Sequence, residues 1–188
     1  GMREGSIVVL AIIMGLMLAF DMGGPVNKVA YAFMLICVSQ GVYSVVAIAA
    51  VGIAVPPLGM GLATLIGRKY FTAEERETGK AALVMGCVGV TEGAIPFAAA
   101  DPLRVIPANM IGAASGCVTA ALMGAQCYAG WGGLIVLPVV QGKLGFVAAL
   151  LVGACVSAAC VILLKAFAKK KPTNVATDDE LDLDFEIN

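Results

Sequence analysis

The chain has 188 residues, of which 60% are hydrophobic and 13% are charged, and its formal net charge is -1. Soluble domains carry about 25% charged residues, so this composition excludes an ordinary soluble globule and predicts a polytopic membrane protein. With a net charge of -1 the chain has no basic stripe that could bind nucleic-acid phosphates, which excludes a nucleic-acid-binding protein.

The first uncharged stretches predict membrane helices. Residues 6–20 and 29–67 contain no Asp, Glu, Lys or Arg, and a membrane-spanning helix needs about 20 apolar residues. We therefore predict one helix over residues 6–20 and two more over 29–50 and 51–66. The third is expected to be broken at Pro56-Pro57. The chain opens on Gly1-Met2, and we expect it to be a piece of a longer protein.

A single charged internal loop follows at residues 68–80. Within it, Thr72-Ala-Glu-Glu75 has the spacing of a capping box, which predicts that a short amphipathic helix begins at Thr72. Residues 81–90 and 95–100 are apolar but too short to span, and they flank the polar tip Thr91-Glu92-Gly93. Two short arms around a polar tip predict a re-entrant hairpin, a backbone that is tolerated at membrane depth only beside protein or a water-filled cavity.

The remaining apolar stretches predict two full spans, over residues 105–126 and 144–164, with a second re-entrant element over the glycine-rich residues 129–138. Four lysines close the last span, and excess positive charge marks the cytoplasmic side of a membrane. The C-terminus is therefore expected in the cytoplasm. We predict a membrane domain over residues 1–171 and an acidic disordered tail over residues 172–188.

Ionisable residues inside membrane segments cost about 2.5–3.5 kcal/mol on insertion scales and are functional candidates for that reason. Glu92 is the strongest candidate, because a carboxylate on a broken segment can accept paired hydrogen bonds from sugar hydroxyls. The alternative is a structural ion pair between Glu92 and either Arg104 or Lys28. Thr91 belongs to the same tip and is a candidate with it.

The other candidates each have a structural alternative. Asp21, Asn27 and Lys28 bracket a Gly-Gly-Pro stretch and form either a ligand site or a capped helix break. Arg104 lies three residues after Asp101, so these two can pair within one helical turn. Trp131, the single tryptophan, can stack on a sugar ring or anchor the membrane interface.

Metal and redox chemistry are not indicated. The sequence has no histidine, which excludes imidazole ligands and histidine-based catalysis. Its six cysteines all lie in apolar segments without a CxxC pair, as expected for small apolar side chains in a helix bundle. We expect no cofactor, no metal site and no disulfide.

Four motifs in order carry a family resemblance. They are Ala19-Phe-Asp-Met-Gly-Gly-Pro-Val-Asn-Lys28, Val55-Pro-Pro-Leu-Gly59, Phe71-Thr-Ala-Glu-Glu-Arg76 and a block that begins Gly89-Val-Thr-Glu-Gly-Ala-Ile-Pro96. With these motifs the chain closely resembles, over about residues 5 to 165, the C-terminal part of the membrane (IIC) component of fructose-type permeases. These permeases belong to the bacterial phosphoenolpyruvate-dependent sugar phosphotransferase system.

The resemblance implies an all-α integral membrane protein of the IIC type, with one or two re-entrant hairpins, in the bacterial inner membrane. It implies a homodimer that binds a fructose-like sugar and presents it to a phosphorylated IIB domain, with IIA, HPr and enzyme I upstream. Such a subunit is not catalytic alone. Glu92 matches the position of the family's ligand-binding glutamate.

One departure from the family concerns the second broken segment. Where the family usually has His-Gly-Gly, this chain has Trp131-Gly-Gly133, so a histidine contact to the substrate is missing. The missing contact is compatible with a substrate other than fructose itself, either another sugar or a glycosylated acid. The alternative function is an ion-coupled carrier of a small solute without phosphorylation, because intramembrane carboxylates also suit proton coupling.

Overall fold

The computed structural model describes residues 2–169 and the side chains of residues 5–168. Seven α-helices make up most of this part of the chain: α1 (Met2–Phe20), α2 (Pro25–Ser39), α3 (Tyr43–Ile66), α4 (Ala73–Val88), α5 (Ile95–Ala100), α6 (Pro102–Leu122) and α7 (Lys143–Lys169). A two-residue antiparallel ribbon joins β1 (Gln126–Cys127) to β2 (Val140–Gln141). The prediction of an all-α membrane protein is confirmed.

Helix α3 is the centre of the molecule. The 18-residue apolar window of α3 is 89% buried, against 44% in α6 and 39% in α7. These three are the helices of the described residues that are long and apolar enough to cross a membrane. A helix that is apolar on every side suits either a protein core or lipid, and the burial of α3 shows that it is surrounded mainly by protein. Helices α1, α4, α6 and α7 pack around it.

Small residues let the outer helices approach closely. A Cβ added at Gly112 of α6 would overlap Ser157 of α7, and one added at Gly153 would lie 2.5 Å from a methyl of Val55. The same contact buries a polar link, in which the Ser157 hydroxyl donates to the Asn109 Oδ1 at 2.7 Å. Close backbone approach and buried side-chain hydrogen bonds are how helices associate where lipid supplies no hydrophobic drive.

The boundary predicted between the second and third helices is wrong. The chain turns at residues 40–42, where Gly41 has a positive φ of 72°, and α3 then runs unbroken from Tyr43 through Pro56 and Pro57 to Ile66. A glycine in the left-handed conformation just after a helix terminates it, and Gly41 is the signal in the sequence for this boundary. The prolines do not break α3 because it is held by neighbouring helices on all sides.

Helix α4 is longer than the short amphipathic helix predicted from the capping box. The box itself is confirmed, since the Thr72 hydroxyl accepts from the Glu75 N–H and the Glu75 carboxylate accepts from the Thr72 N–H. However, the helix continues through the first apolar arm and ends only at Gly89, which has a φ of 85°. Residues 73–80 of the charged loop and the first arm therefore form one element, with Gly79 accommodated inside the helix.

The region after α4 is irregular. A 3₁₀ turn over Thr91–Ala94 leads into the six-residue α5, and Asp101 then begins α6. A second 3₁₀ segment, Leu134–Val139, lies inside the loop closed by the ribbon. The hairpins expected over residues 81–100 and 129–138 remain predictions. The acidic tail and two of the four closing lysines, Lys170 and Lys171, lie outside the described residues.

Candidate binding site

A cavity of about 220 Å³ lies where several interruptions of the helices meet. The α1–α2 break contributes Gly23, and the break after α4 contributes Gly89, Thr91 and Glu92. The remaining lining residues come from α2, α3 and the loop after β1: Asn27, Lys28, Tyr31, Ile53 and Trp131. Five of the seven predicted site residues therefore meet at one place, although they are up to about a hundred positions apart in sequence.

The Glu92 carboxylate borders this cavity without a counter-ion. The side chain is exposed and makes no salt bridge or hydrogen bond within the described part of the chain. It lies against Gly23, where an added Cβ would come 2.7 Å from the Glu92 Oε1. Gly23 also has a positive φ of 111°, so its lack of a side chain matters for both conformation and space. The ion pair considered for Glu92 is not formed.

Asn27 and Lys28 reach the cavity from the first turn of α2. Asn27 is buried, and its Nδ2 donates to the Leu18 carbonyl oxygen at 2.6 Å. Among the described residues no group donates a hydrogen bond to the Asn27 Oδ1, so this oxygen can accept one from a ligand. Lys28 is exposed and has no carboxylate within ion-pair distance in residues 5–168.

Asp21 stands behind the cavity and caps α2. Its Oδ2 accepts from the Val26 N–H at 2.7 Å and its Oδ1 accepts from the Asn27 N–H at 2.9 Å. Both oxygens are therefore used on amides at the start of a helix, where a negative charge is also favoured by the helix dipole. The structure places Asp21 in the capped helix break that was the alternative to a ligand contact.

Arg104 does not line the cavity. Its guanidinium pairs with Asp101 at 2.8 Å, three residues earlier at the beginning of α6. Asp101 occupies the N-cap position but makes no side-chain cap hydrogen bond there, because its carboxylate is turned to Arg104. This is the one-turn pair that the spacing allowed.

Trp131 closes one side of the cavity and is held in place by two contacts. The indole N–H donates to the Val88 carbonyl oxygen at 2.7 Å, and Tyr31 packs edge-on with the ring centroids 6.3 Å apart. The Tyr31 hydroxyl in turn donates to the Gly130 carbonyl oxygen at 3.0 Å. The indole N–H is thus occupied by the protein, which leaves the ring surface for a ligand.

The two glycines after Trp131 lie directly on backbone. A Cβ at Gly132 would come 2.7 Å from the Ala50 carbonyl oxygen, and a Cβ at Gly89 would overlap the Gly132 carbonyl. Gly133 has a φ of 81° and donates its N–H to the Ala50 carbonyl at 3.3 Å. Contacts between backbones therefore bring the two broken segments together on α3.

Four lining residues were not predicted as site residues: Gly23, Tyr31, Ile53 and Gly89. Gly23 belongs to the Gly-Gly-Pro stretch that the candidates Asp21 and Lys28 bracket. Tyr31 is four positions after Asn27, so the helical period already places both on one face of α2. Gly89 follows the last apolar residue of α4, which is a usual position for a left-handed helix terminus. Ile53 gives no signal in the sequence, because its contribution depends on how α3 is packed.

Comparisons with known proteins find relatives that are named as permease components. It is 78% identical, over 189 aligned residues and 100% of its length, to fructose-like permease IIC component 2 of Escherichia coli (strain K12). Over 88% of its length it is 48% identical to the PTS system fructose-specific EIIB'BC component of Xanthomonas campestris. Over 93% it is 37% identical to the PTS system fructose-specific EIIC component of Haloferax volcanii.

The chain spans about half the length of the first of these relatives. It covers 53% of the Escherichia coli protein, 29% of the Xanthomonas protein and 47% of the Haloferax protein. No family model and no solved structure matches the chain.

Proposed function

Because the chain is homologous over its whole length to the membrane (IIC) components of fructose-type phosphotransferase permeases, we propose that it is part of a sugar-translocating IIC subunit. The proposed subunit binds a fructose-like sugar and presents it for phosphorylation during uptake. One observation carries the assignment of the site: the Glu92 carboxylate, unpaired among the described residues, borders a cavity at the meeting point of the helix breaks.

The chemistry of the lining suits a polyol. The Glu92 carboxylate can accept hydrogen bonds from two neighbouring hydroxyls, and such charge-assisted bonds are the stronger kind. The Asn27 Oδ1 offers a further acceptor and the Lys28 ammonium offers donors. The surface of Trp131 provides an apolar wall for the C–H face of a sugar ring.

The roles of the predicted residues divide accordingly. Glu92, Asn27, Lys28 and Trp131 are proposed to contact the sugar. Asp21 supports the site by capping α2, which holds Asn27 and Lys28 at its first turn. Arg104 is proposed to stabilise the start of α6 through Asp101 and not to touch the substrate.

Partners and orientation follow from the family in the same proposal. Several relatives are named as combined IIB and IIC components, so the proposed phosphoryl donor is a IIB domain, supplied through IIA, HPr and enzyme I. The subunit is proposed to work as a homodimer in the inner membrane. The charged loop and the C-terminus would face the cytoplasm, where a IIB domain can reach the sugar.

Transport in membrane vesicles tests this function. The chain is expressed in its native reading frame and uptake is measured for a panel of D-fructose, D-tagatose, D-mannitol and a glycosylated acid. We expect uptake of at least one of these that stops when the phosphoryl donor is removed and persists when the proton gradient is dissipated. Uptake that collapses with the proton gradient and ignores the phosphoryl donor would instead assign an ion-coupled carrier.

A further inference from the structure

Helix α3 carries a backbone carbonyl that its own helix cannot satisfy. In an α-helix the N–H of each residue bonds to the carbonyl four positions earlier, and proline has no N–H. Pro57 therefore leaves the Ile53 carbonyl oxygen without its helical donor. The preceding residue, Pro56, does the same to the Gly52 carbonyl. Both prolines lie in the buried part of α3, as do Gly52 and Ile53.

Thr91 supplies the missing donor to Ile53. The Thr91 hydroxyl donates to the Ile53 carbonyl oxygen at 3.1 Å, across a separation of 38 residues. Thr91 is 4% exposed, and although the residue lines the cavity, its hydroxyl proton is used on this carbonyl. An unpaired buried carbonyl is costly, and this hydrogen bond joins the tip of the broken segment to the centre of the molecule.

Gly93 brings the other end of the tip to the same place. A Cβ at Gly93 would lie 3.1 Å from the Cβ of Pro57 and 3.0 Å from the Cβ of Met85. Thr91 and Gly93 are both buried against α3 and α4, whereas Glu92 between them is exposed to the cavity. The two flanking contacts therefore decide which way the Glu92 carboxylate points.

We propose that Pro57 and Thr91 form a positioning pair for Glu92. Pro57 frees the Ile53 carbonyl, the Thr91 hydroxyl docks on it, and the docked tip holds the carboxylate against Gly23 at the cavity. Neither residue touches the sugar in this scheme. The proposal rests on the proposed function, since it gives Thr91 a role in orienting the residue that binds the ligand.

A double-mutant cycle tests the pair. The variants are Thr91→Val, which keeps the shape but removes the donor, Pro57→Ala, which restores an N–H to the Ile53 carbonyl, and their combination. Thr91→Ser keeps the hydroxyl. Pro56→Ala is the matched control, because it restores an N–H to the Gly52 carbonyl and leaves the Ile53 carbonyl without its helical donor. Each is made in the native reading frame, and the affinity of the purified protein is measured for the panel sugar that binds wild type most tightly.

We expect Thr91→Val to weaken sugar affinity about tenfold, which corresponds to about 1.4 kcal/mol, and Thr91→Ser to restore it to within about twofold. Pro57→Ala should weaken affinity about threefold, because the new N–H draws the carbonyl back into the helix. In the Pro57→Ala background, adding Thr91→Val should weaken sugar affinity by less than about threefold, because the Ile53 carbonyl then has a helical donor. In the Pro56→Ala background, Thr91→Val should still weaken sugar affinity about tenfold.

Several results would overturn the pairing. If Thr91→Val weakens sugar affinity equally in the Pro56→Ala and Pro57→Ala backgrounds, Pro57 has no part in positioning Glu92. A Thr91→Ser variant as weak as Thr91→Val would remove the role of the hydroxyl. If Thr91→Val does not fold, Pro57→Ala and Pro56→Ala decide: equal affinity of these two contradicts the proposal.

Glu92→Gln, measured in parallel, separates this proposal from the function on which it rests. Unchanged affinity in Glu92→Gln, or no binding of any panel sugar by wild type, would count against the binding site itself. Weaker binding in Glu92→Gln without coupling between Thr91 and Pro57 would remove the positioning pair alone. Thermal unfolding of every variant ensures that only folded protein enters the comparison.

Discussion

At the scale of single residues, the structure shows which of the charged candidates already have partners inside the protein. Asp21, Asp101 and Glu92 are all carboxylates in or beside apolar segments. Asp21 is satisfied by two helix amides and Asp101 by Arg104. Glu92 alone of these three lacks a partner within the described residues, and it alone lines the cavity. A charge without an internal partner is available for a ligand.

The first prediction concerns Glu92. Glu92→Gln keeps the size of the side chain but removes its charge, and hydrogen bonds to charged groups are worth about 1.5–3 kcal/mol against about 0.5–1.5 kcal/mol for neutral ones. Sugar affinity should therefore fall by roughly one order of magnitude. Glu92→Ala should weaken it further, because sugar hydroxyls are then left unpaired. Equilibrium binding to purified protein provides the measurement.

Glu77→Gln is the matched control for this change. Glu77 is an exposed carboxylate on α4 that pairs with Lys80 at 2.7 Å and lies outside the cavity. Its substitution should leave sugar affinity within about twofold of wild type, since exposed ion pairs contribute little. A loss of affinity in Glu77→Gln equal to that in Glu92→Gln would show a general effect of charge and would contradict a ligand contact at Glu92.

At the scale of secondary-structure elements, glycine positions explain how the two broken segments fit together. Gly89 ends α4 in the left-handed region, and its Cα faces the backbone of Gly132. Gly133, also at positive φ, faces the backbone of α4 in return. Because no side chain intervenes, the break after α4 and the segment after Trp131 can share one cavity.

The second prediction follows from this contact. Gly89→Ala should destabilise the protein, because an L-residue at positive φ costs about 1–2 kcal/mol and overlap with packed backbone adds about 1–3 kcal/mol. Gly124→Ala is the control, since Gly124 also has a positive φ, of 63°, but nothing lies within 4 Å of an added Cβ. Thermal unfolding should show the larger loss for Gly89→Ala. Equal losses would mean that conformation alone matters.

The third prediction concerns the path of the chain around Glu92. We expect residues 81–100 to form a re-entrant hairpin, because α5 has only six residues and cannot cross a bilayer that requires about 20. Single cysteines at Ala81 and Ala100 should react with a membrane-impermeant maleimide from the same side. Labelling of the two positions from opposite sides would establish a crossing and would exclude the hairpin.

At the scale of the whole molecule, the arrangement depends on an apolar central helix and on small residues around it. Nearly every residue of α3 between Val45 and Val55 is buried, and α6 and α7 meet beside it through glycines. The Asn109–Ser157 hydrogen bond fixes the register of α6 on α7. The cavity depends on this arrangement, since α3 supplies Ile53 and anchors both broken segments.

The fourth prediction tests the packing. Gly112→Leu places a large side chain where even a Cβ would overlap Ser157, and we expect loss of a single, compact species, with a destabilisation of about 1–3 kcal/mol or more. Gly5→Leu is the control, because nothing lies within 4 Å of a Cβ there. Size-exclusion chromatography and thermal unfolding in detergent provide the measurements. Normal behaviour of Gly112→Leu would contradict close packing of α6 on α7.

The amino-acid sequence alone predicts the class of the protein and the candidates for its site. Long uncharged stretches require membrane helices, and the Thr72–Glu75 box marks the beginning of α4 because capping is a local interaction between near neighbours. The polar tip at Glu92 is also visible in sequence, since an ionisable residue among apolar arms needs an explanation.

Contacts between distant parts of the chain determine which candidates meet and where the helices in the middle of the chain begin and end. Pro56 and Pro57 predicted a break, yet α3 continues through them, because Thr91 and the surrounding helices satisfy and enclose the backbone that the prolines disrupt. Asp21 was left open between a ligand contact and a helix cap until its hydrogen bonds to α2 were known, whereas the spacing of Asp101 and Arg104 already allowed their pair. The contacts of Asp21 and Glu92 depend on how neighbouring elements pack and on the direction of each side chain, so no local pattern of residues fixes them.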